Sequence, residues 1–307
     1  MSIVDRQVII ITGAGRGLGR AHALELGGRG AAVVVNDLGA SLDGSGARVA
    51  PAEEVAEEVR SRGGLALVNG DDVSEPDGAE RLLEATLDAF GKVDVLINNA
   101  GILRDRTLVN MTIEEWDAVI KVHLRGTFAP MSVVTRHWRE LVKSGHEVDG
   151  RIINTTSSSG IYGNPGQSNY GAAKAGIAAM TIIAARELTR YGVKVNAIAP
   201  AALTRMTENL RPDRPVVPED QFDPGAPENV AALVAWLAGA AAKDVTGRVF
   251  NIRGGHLSVA EGWIAGPSYE EDRRLSAEDF DTIVPDLLSR ARPNALTNGR
   301  TPREASA

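Results

Sequence analysis

The chain has 307 residues, a length that α/β proteins with helices on both faces of one sheet commonly use as a single domain. Its formal net charge of −7 argues against nucleic-acid or anionic-membrane binding, because both need a dominant positive field. The sequence contains no cysteine, so it has no disulfides or thiolate metal site. It has no apolar run near the roughly 18 residues of a membrane span and no signal sequence. We therefore expect a soluble, cytoplasmic protein that binds no metal.

Short β-branched segments alternate with amphipathic helical segments along the chain. The predicted strands are residues 8–11, 32–36, 65–69, 95–98, 151–154, 194–198 and 248–252. Between them, residues 51–62 and 77–90 carry apolar side chains at helical spacing. This alternation predicts an α/β fold: a single Rossmann-like, doubly wound domain with a seven-stranded parallel sheet flanked by helices.

Three segments interrupt this alternation. Residues 39–50 form a Gly/Ser-rich insertion, and residues 211–227 contain five prolines, too many for a helix or strand. The second segment follows the sixth strand, so it is either an active-site lid or a plain surface loop. Beyond residue 265 the composition turns polar; Ser276 is a candidate helix cap, and residues 290–307 are expected to be disordered. The predicted division is a Rossmann-like domain over 1–265 and a partly disordered extension over 266–307.

A glycine-rich loop, TGAGRGLG at 12–19, joins the first strand to the first helix. Gly13 permits the tight turn, Gly17 lets the backbone approach a pyrophosphate, and Gly19 lets the helix pack closely on the strand. The helix N-terminus supplies N–H donors. Because the loop opens a βαβ unit, it predicts a dinucleotide site.

Two charged residues bear on which dinucleotide binds. Asp37 ends the second strand, where a carboxylate accepts hydrogen bonds from the adenosine ribose and repels a 2′-phosphate. Arg16, inside the loop, has the opposite effect, because a guanidinium pairs with a 2′-phosphate. We weigh Asp37 more heavily and expect NAD, with NADP less favoured.

A tyrosine and a lysine lie four residues apart on an Ala-rich predicted helix, so Tyr170 and Lys174 share one face. A phenol is a poor base at neutral pH, but an adjacent ammonium and a cationic nicotinamide favour the phenolate. Tyr170 is therefore the candidate acid/base, and Lys174 the candidate donor to the nicotinamide ribose. Taken alone, the pair also fits an ordinary solvated helix face.

Hydroxyl side chains follow the fifth strand at the edge where open α/β sheets bind ligands. Ser157, thirteen residues before Tyr170, is the candidate that polarises the substrate oxygen. Ser158 and Ser159 are rivals for that role. The structural alternative is a helix or turn cap.

Together, TGAGRGLG (12–19), NNAG (98–101), Ser157 and YGAAK (170–174) resemble the short-chain dehydrogenase/reductase superfamily over roughly residues 5–260. The resemblance implies a homodimer or homotetramer with Ser157, Tyr170 and Lys174 as the catalytic group. It implies further cofactor contacts at Leu18, Asp72, Val73, Asn99, Ala100, Gly101, Pro200 and Thr204. The chain has Ala201 where the superfamily usually has a glycine after Pro200.

Five further strings, at 36–39, 103–106, 122–126, 163–167 and 205–207, resemble the (3R)-hydroxyacyl-CoA dehydrogenase domain of peroxisomal multifunctional enzyme type 2. Within them, His123 stands where most of the superfamily carries an asparagine that anchors a proton-relay water. His123 is therefore either a relay residue or a helix histidine bonded to a backbone carbonyl.

The resemblance predicts NAD-dependent oxidation of a (3R)-3-hydroxyacyl-CoA in lipid metabolism, by a stand-alone dehydrogenase. Arginines near the mouth either meet the CoA phosphates or are scattered surface residues; they are Arg104, Arg106, Arg205, Arg211 and Arg214. The alternatives are oxidation of a steroid-like alcohol, NADPH-dependent reduction of a 3-oxoacyl thioester or a small ketone, and a non-catalytic dinucleotide-binding regulator.

Overall fold

Eight strands form one sheet in the computed structural model, which describes residues 4, 6–39, 50–203, 217–218 and 221–301. The strands are β1 Val8–Thr12, β2 Ala32–Asn36, β3 Leu65–Asn69, β4 Val95–Asn98, β5 Arg151–Thr155, β6 Lys194–Pro200, β7 Val249–Arg253 and β8 His256–Ala260. Their order is β3-β2-β1-β4-β5-β6-β7-β8, and β1 to β7 pair in parallel. The order reverses between β1 and β4, which opens a crevice at the carboxyl ends of those strands.

Nine α-helices connect or follow the strands within the described ranges. They are α1 Gly17–Gly28, α2 Ala50–Ser61, α3 Pro76–Phe90, α4 Ile113–Ile120, α5 Gly126–Lys143, α6 Ser158–Tyr162, α7 Ser168–Leu188, α8 Glu228–Ala238 and α9 Phe280–Arg290. A π-helical turn, Lys121–Arg125, joins α4 to α5. Short 3-10 turns lie at Leu108–Asn110, Thr189–Tyr191 and Ala240–Ala242. No helix in the described ranges is both long and apolar enough to cross a bilayer.

The two faces of the sheet bury separate hydrophobic cores. Ile9 and Ile11 of β1 pack with α1, α2 and α8, whereas Ile10 packs with α3, α5 and α7 on the opposite face. Successive residues of a strand point to opposite faces, so a strand covered on both sides needs apolar residues throughout. This explains the unbroken apolar runs in β1 and β2.

The seven predicted parallel strands are present, but the count of seven misses β8. Strand β8 pairs antiparallel with β7, and Arg253 lies opposite His256 across the two-residue turn Gly254-Gly255. Gly254 has φ +52°, a conformation that favours glycine in tight hairpins. The sequence does not mark β8 because it is a largely exposed edge strand, without the apolar run that marks the central strands.

The C-terminal extension returns to the sheet domain. Ser276, the predicted cap, exchanges backbone and side-chain hydrogen bonds with Asp279 immediately before α9. Beyond α9, Gly299 lies against the Tyr162 ring: a Cβ built on it would come 3.0 Å from the Tyr162 hydroxyl. The division of the chain at residue 265 remains a prediction.

Candidate active site

A cleft of about 810 Å³ opens at the carboxyl ends of the parallel strands. Most of the predicted site residues line it: Gly13, Arg16, Gly17, Leu18, Asp37, Asp72, Val73, Asn99, Ala100, Gly101, His123, Ser157, Tyr170, Lys174 and Pro200. Gly19 lies behind the glycine loop, and Thr204 lies outside the described residues. The fold thus brings residues from six strand ends to one site.

The glycine loop has the geometry that a bound pyrophosphate requires. Gly13 and Gly17 have φ values of +63° and +52°. A Cβ on Gly13 would lie 2.7 Å from the Ala100 Cα, and one on Gly19 would lie 2.1 Å from the Gly13 carbonyl oxygen. The Asn99 side chain donates to the carbonyl oxygens of Thr12 and Gly13. The loop is therefore held open at the N-terminus of α1, and these residues fit a dinucleotide.

The Asp37 carboxylate is held at the end of β2 by backbone donors. The Gly15 N–H donates to Asp37 Oδ2 at 2.8 Å, and the Gly39 N–H donates to Asp37 Oδ1 at 2.6 Å. Arg16, the residue before α1, is exposed at the same end of the cleft. Both residues considered for cofactor preference thus face the predicted adenosine end.

Asp72, one of the predicted cofactor contacts, belongs to a second polar group in the cleft. The pKa of Asp72 is lowered: burial raises it, but hydrogen bonds from Ser74 and the charge of Lys121 outweigh that effect. Lys121, in the π-helical turn, lines the cleft and was not predicted as a site residue. No motif in the sequence marks Lys121 for this role.

Ser157 is both a helix cap and a neighbour of Tyr170. Its Oγ accepts a hydrogen bond of 3.1 Å from the Ser159 N–H at the start of α6. The Ser157 side chain also lies close enough to the Tyr170 hydroxyl to lower the pKa of the phenol. The cap that sequence reasoning treated as an alternative therefore coexists with the contact that the catalytic hypothesis needs.

Burial opposes ionisation at both Tyr170 and Lys174. Burial raises the pKa of Tyr170 to about 12; the Ser157 side chain lowers it and the charge of Asp105 raises it. Burial lowers the pKa of Lys174 to about 7. Lys174 Nζ donates to the Thr155 carbonyl oxygen at 2.6 Å and lies 5.6 Å from the centroid of the Tyr170 ring. The protein's own groups thus keep the phenol protonated at neutral pH.

His123 is buried and its ring meets Tyr170 edge-on, with centroids 5.1 Å apart. Burial lowers its pKa to about 3, so the imidazole is neutral. His123 Nε2 lies 2.8 Å from the Ile102 carbonyl oxygen, and Nδ1 has no hydrogen-bond partner among the described residues. The backbone contact matches one of the two hypotheses for His123, while Nδ1 leaves the relay role open.

The rival serines differ in their hydrogen bonds, and the arginines differ in position. Ser158 and Ser159 both line the cleft, and the Ser159 hydroxyl donates to Gln167 Oε1 at 2.7 Å. Arg104 lines the cleft, whereas Arg106 pairs with Glu115. Arg205, Arg211 and Arg214 lie outside the described residues, as do residues 211–216 and 219–220 of the predicted lid.

One cleft residue could have been found from the sequence. Arg253 lines the cleft and immediately follows the predicted seventh strand, at the edge where ligands bind.

Among the described residues, no three His, Asp or Glu side chains lie close enough to hold a metal ion.

Comparison with known proteins gives consistent results. The family model described as short chain dehydrogenase matches residues 7–215. The chain is 43% identical to a hydroxyacyl-CoA dehydrogenase of Mycobacterium tuberculosis over 274 residues, which are 89% of this chain and 83% of that protein. It is 42% identical to peroxisomal multifunctional enzyme type 2 of Mus musculus over 266 residues, 87% of this chain but 33% of that protein. A crystal structure of a short chain dehydrogenase from Mycobacterium avium superposes with a TM-score of 0.86 at 50% identity, covering 95% of this chain and 98% of that chain.

Proposed function

The chain belongs to the short chain dehydrogenase family of oxidoreductases, and from that premise we propose that it oxidises a (3R)-3-hydroxyacyl-CoA with NAD. The observation that carries the proposal is the grouping of Ser157, Tyr170 and Lys174 in the cleft that the glycine loop also lines: Ser157 lowers the pKa of the Tyr170 phenol, and Lys174 Nζ lies 5.6 Å from the centroid of the Tyr170 ring. Both hydroxyls can meet one substrate oxygen. That arrangement suits proton transfer at a secondary alcohol.

We assign the dinucleotide to the cleft between the glycine loop and Lys174. Gly13, Gly17 and the N-terminus of α1 would hold the pyrophosphate, Asp37 the adenosine ribose, and Asn99 to Gly101 the middle of the molecule. When bound, the nicotinamide supplies the hydride acceptor and a positive charge. Asp37 supports NAD because its carboxylate would face a 2′-phosphate at close range.

Tyr170 acts as the base in this proposal, taking the proton from the substrate hydroxyl as the carbonyl forms. Ser157 donates its hydroxyl hydrogen to the substrate oxygen and stabilises the charge that develops there. Before substrate binds, the Ser157 hydroxyl lowers the pKa of Tyr170, against the opposing effect of burial. Lys174, held by the Thr155 carbonyl, is positioned to donate to the nicotinamide ribose. In the reverse direction the Tyr170 phenol returns the proton.

The acyl-CoA assignment is supported by the two relatives named for hydroxyacyl-CoA or peroxisomal multifunctional activity. Arg104 and Arg253 line the cleft and offer cationic groups to the CoA phosphates. We further propose a cytoplasmic homodimer or homotetramer acting in lipid metabolism. The absence of cysteine from the sequence supports the reducing compartment.

A second candidate is NADPH-dependent reduction of a 3-oxoacyl thioester. The observation in its favour is Arg16, exposed at the adenosine end of the cleft where a guanidinium can pair with a 2′-phosphate. Oxidation of a steroid-like alcohol and a non-catalytic regulatory role are the remaining alternatives.

The test is NADH or NADPH formation by the purified protein given either cofactor and one of three substrates. These are a (3R)-hydroxyacyl-CoA, its (3S) epimer and a 17β-hydroxysteroid. NAD-dependent, (3R)-selective activity that falls by about a hundredfold or more in Tyr170→Phe would support the proposal. Tyr191→Phe is the matched control, because that tyrosine lies outside the cleft lining. Activity on the steroid alone, a strict requirement for NADP, or no activity would refute it.

A further inference from the structure

Two segments that are about 60 residues apart in sequence meet at the wall of the cleft. The first is 103–106 and the second is 163–167. The Arg106 N–H donates to the Gly166 carbonyl oxygen at 2.9 Å, and Arg106 and Gln167 form an isolated parallel bridge. The backbone contact fixes the two segments side by side.

The Gln167 side chain joins these segments with three hydrogen bonds. Its Nε2 donates to Asp105 Oδ2 at 2.8 Å. Its Oε1 accepts from Ser159 Oγ at 2.7 Å and from Asn164 Nδ2 at 2.9 Å. A carboxylate only accepts and a side-chain amide N–H only donates, so the Asp105 and Asn164 bonds fix the orientation of the Gln167 amide.

Gln167 contacts both elements that carry the hydroxyl pair. Ser159, which donates to Gln167, lies two residues after Ser157, and its backbone N–H donates to the Ser157 Oγ. Gln167 itself immediately precedes α7, and its carbonyl oxygen accepts from the Gly171 N–H at 2.7 Å, next to Tyr170. One side chain thus links the first residues of α6 to the first residues of α7.

We propose that Gln167 is a positioning residue, anchored by Asp105, that holds α6 and α7 so that the Ser157 and Tyr170 hydroxyls share one substrate oxygen. This inference rests on the proposed function of those two hydroxyls. Gln167 acts through Ser159 and through the backbone of α7. Displacing α6 by a fraction of an ångström would move the Ser157 hydroxyl relative to Tyr170, and hydrogen bonds from both hydroxyls to one substrate oxygen are short-ranged and directional.

Variants that exchange the carboxylate and the amide between positions 105 and 167 distinguish a positioning role of Gln167 from direct contact with substrate. Gln167→Glu places a carboxylate opposite Asp105 and removes the donor, while Ser159 and Asn164 can still donate to it. Asp105→Asn keeps an acceptor for Gln167 and serves as the control. In the double variant Asp105→Asn/Gln167→Glu, the amide introduced at position 105 donates to the carboxylate introduced at position 167, so the bridge is restored with its polarity reversed.

We expect kcat, measured on the high-pH plateau of each variant, to fall about tenfold in Gln167→Glu, to stay within about threefold of wild type in Asp105→Asn, and to recover to within about threefold in the double variant. The KM for NAD and the binding of NADH, measured by fluorescence, stay unchanged in all three variants. Full activity of Gln167→Glu, or no recovery in the double variant, would overturn the proposal.

The two failures are distinguishable. If the wild type is inactive with every substrate, the proposed function is refuted. The hydrogen bond between positions 105 and 167 can then still be tested by stability measurements, which need no activity. Thermal unfolding of the four proteins then measures the coupling between positions 105 and 167. If the double variant loses less stability than the two single variants together, the hydrogen bond between positions 105 and 167 is supported. If the stability changes are additive within experimental error, it is refuted.

Discussion

Gly15 and Asp37 are joined by a hydrogen bond of 2.8 Å from the backbone N–H of the glycine loop to the carboxylate that ends β2. The loop that would bind the pyrophosphate and the residue that would bind the ribose are therefore one connected unit. A Cβ on Gly15 would come 2.8 Å from Asp37 Oδ2, so a side chain at residue 15 would displace the carboxylate.

Replacing Asp37 by serine is expected to move cofactor preference towards NADP. The substitution removes the charge that repels a 2′-phosphate, while Arg16 remains to pair with it. We expect the ratio of kcat/KM for NADP to that for NAD to rise at least about tenfold, which steady-state kinetics measure. Asp37→Ser/Arg16→Ser is the control and should lose the gain. An unchanged ratio in Asp37→Ser would show that another residue sets the preference.

Asp105→Asn is expected to shift the pH dependence of alcohol oxidation to lower pH. Asp105 raises the pKa of Tyr170, so removing its charge favours the phenolate. The other titratable groups facing Tyr170 are Lys174, on the same helix, and the neutral imidazole of His123. The measurement is kcat/KM against pH, with Glu114→Gln, an exposed carboxylate on α4, as the control. A shift to higher pH, or none, would contradict the prediction.

Gly101→Ala is expected to destabilise the fold through His123. The added Cβ would lie 2.3 Å from His123 Cε1, so the buried ring must move, at a cost of about 1–3 kcal/mol. Gly101→Ala/His123→Ala should be destabilised less than the sum of its single changes, because the clash is gone. Denaturant unfolding measures both. Gly28→Ala is the control, since a Cβ there meets nothing within 4 Å. If the two destabilisations are additive, the cost of Gly101→Ala does not come from contact with the His123 ring.

Acidification is expected to destabilise the protein through His22. Burial lowers its pKa from 6.5 to about 3, and neither ring nitrogen has a hydrogen-bond partner among the described residues. The unfolded chain binds a proton below pH 6.5 and the folded protein does not, so stability is full above that pH and falls as the pH drops towards 3. At pH 5 the loss is about 2 kcal/mol for this one group.

The variant His22→Leu tests this directly. It should flatten the fall in melting temperature between pH 8 and pH 5 without abolishing it, because His123 is also buried with a pKa lowered to about 3. His146→Leu, an exposed histidine, should leave the pH dependence as in the wild type. Equal slopes for wild type and His22→Leu would refute the assignment.

Much of the fold could be predicted from local sequence because its signals are local. Strands β1 to β7 begin and end within two residues of the predicted ranges, since a strand buried on both faces needs a continuous apolar run. The glycine loop was readable because positive φ angles at Gly13 and Gly17 demand that residue type. The motif residues then gather at one edge because parallel strands all end there.

The remaining features depend on distant contacts or local distortion. Asp105 and Gln167 are 62 residues apart, and no sequence pattern near either residue predicts the hydrogen bond between them. Lys121 and His123 line the cleft from a π-helical turn, and no residue pattern in the sequence predicts that turn. The pKa of Tyr170 is shifted opposite to the sequence expectation because burial, a tertiary property, raises it and outweighs the lowering by Ser157.

The turn that ends the described chain has a practical consequence for protein production. The Gly299 N–H donates to the Leu296 carbonyl oxygen, and the Leu296 N–H donates to the Arg300 carbonyl oxygen. In this turn Gly299 covers the ring of Tyr162, whose hydroxyl accepts from Asn251 on β7. An expression boundary drawn where β8 ends would strip that cover from an aromatic ring five residues beyond Ser157. Expressed versions of this enzyme should therefore extend at least through Thr301, with any C-terminal tag placed after that residue.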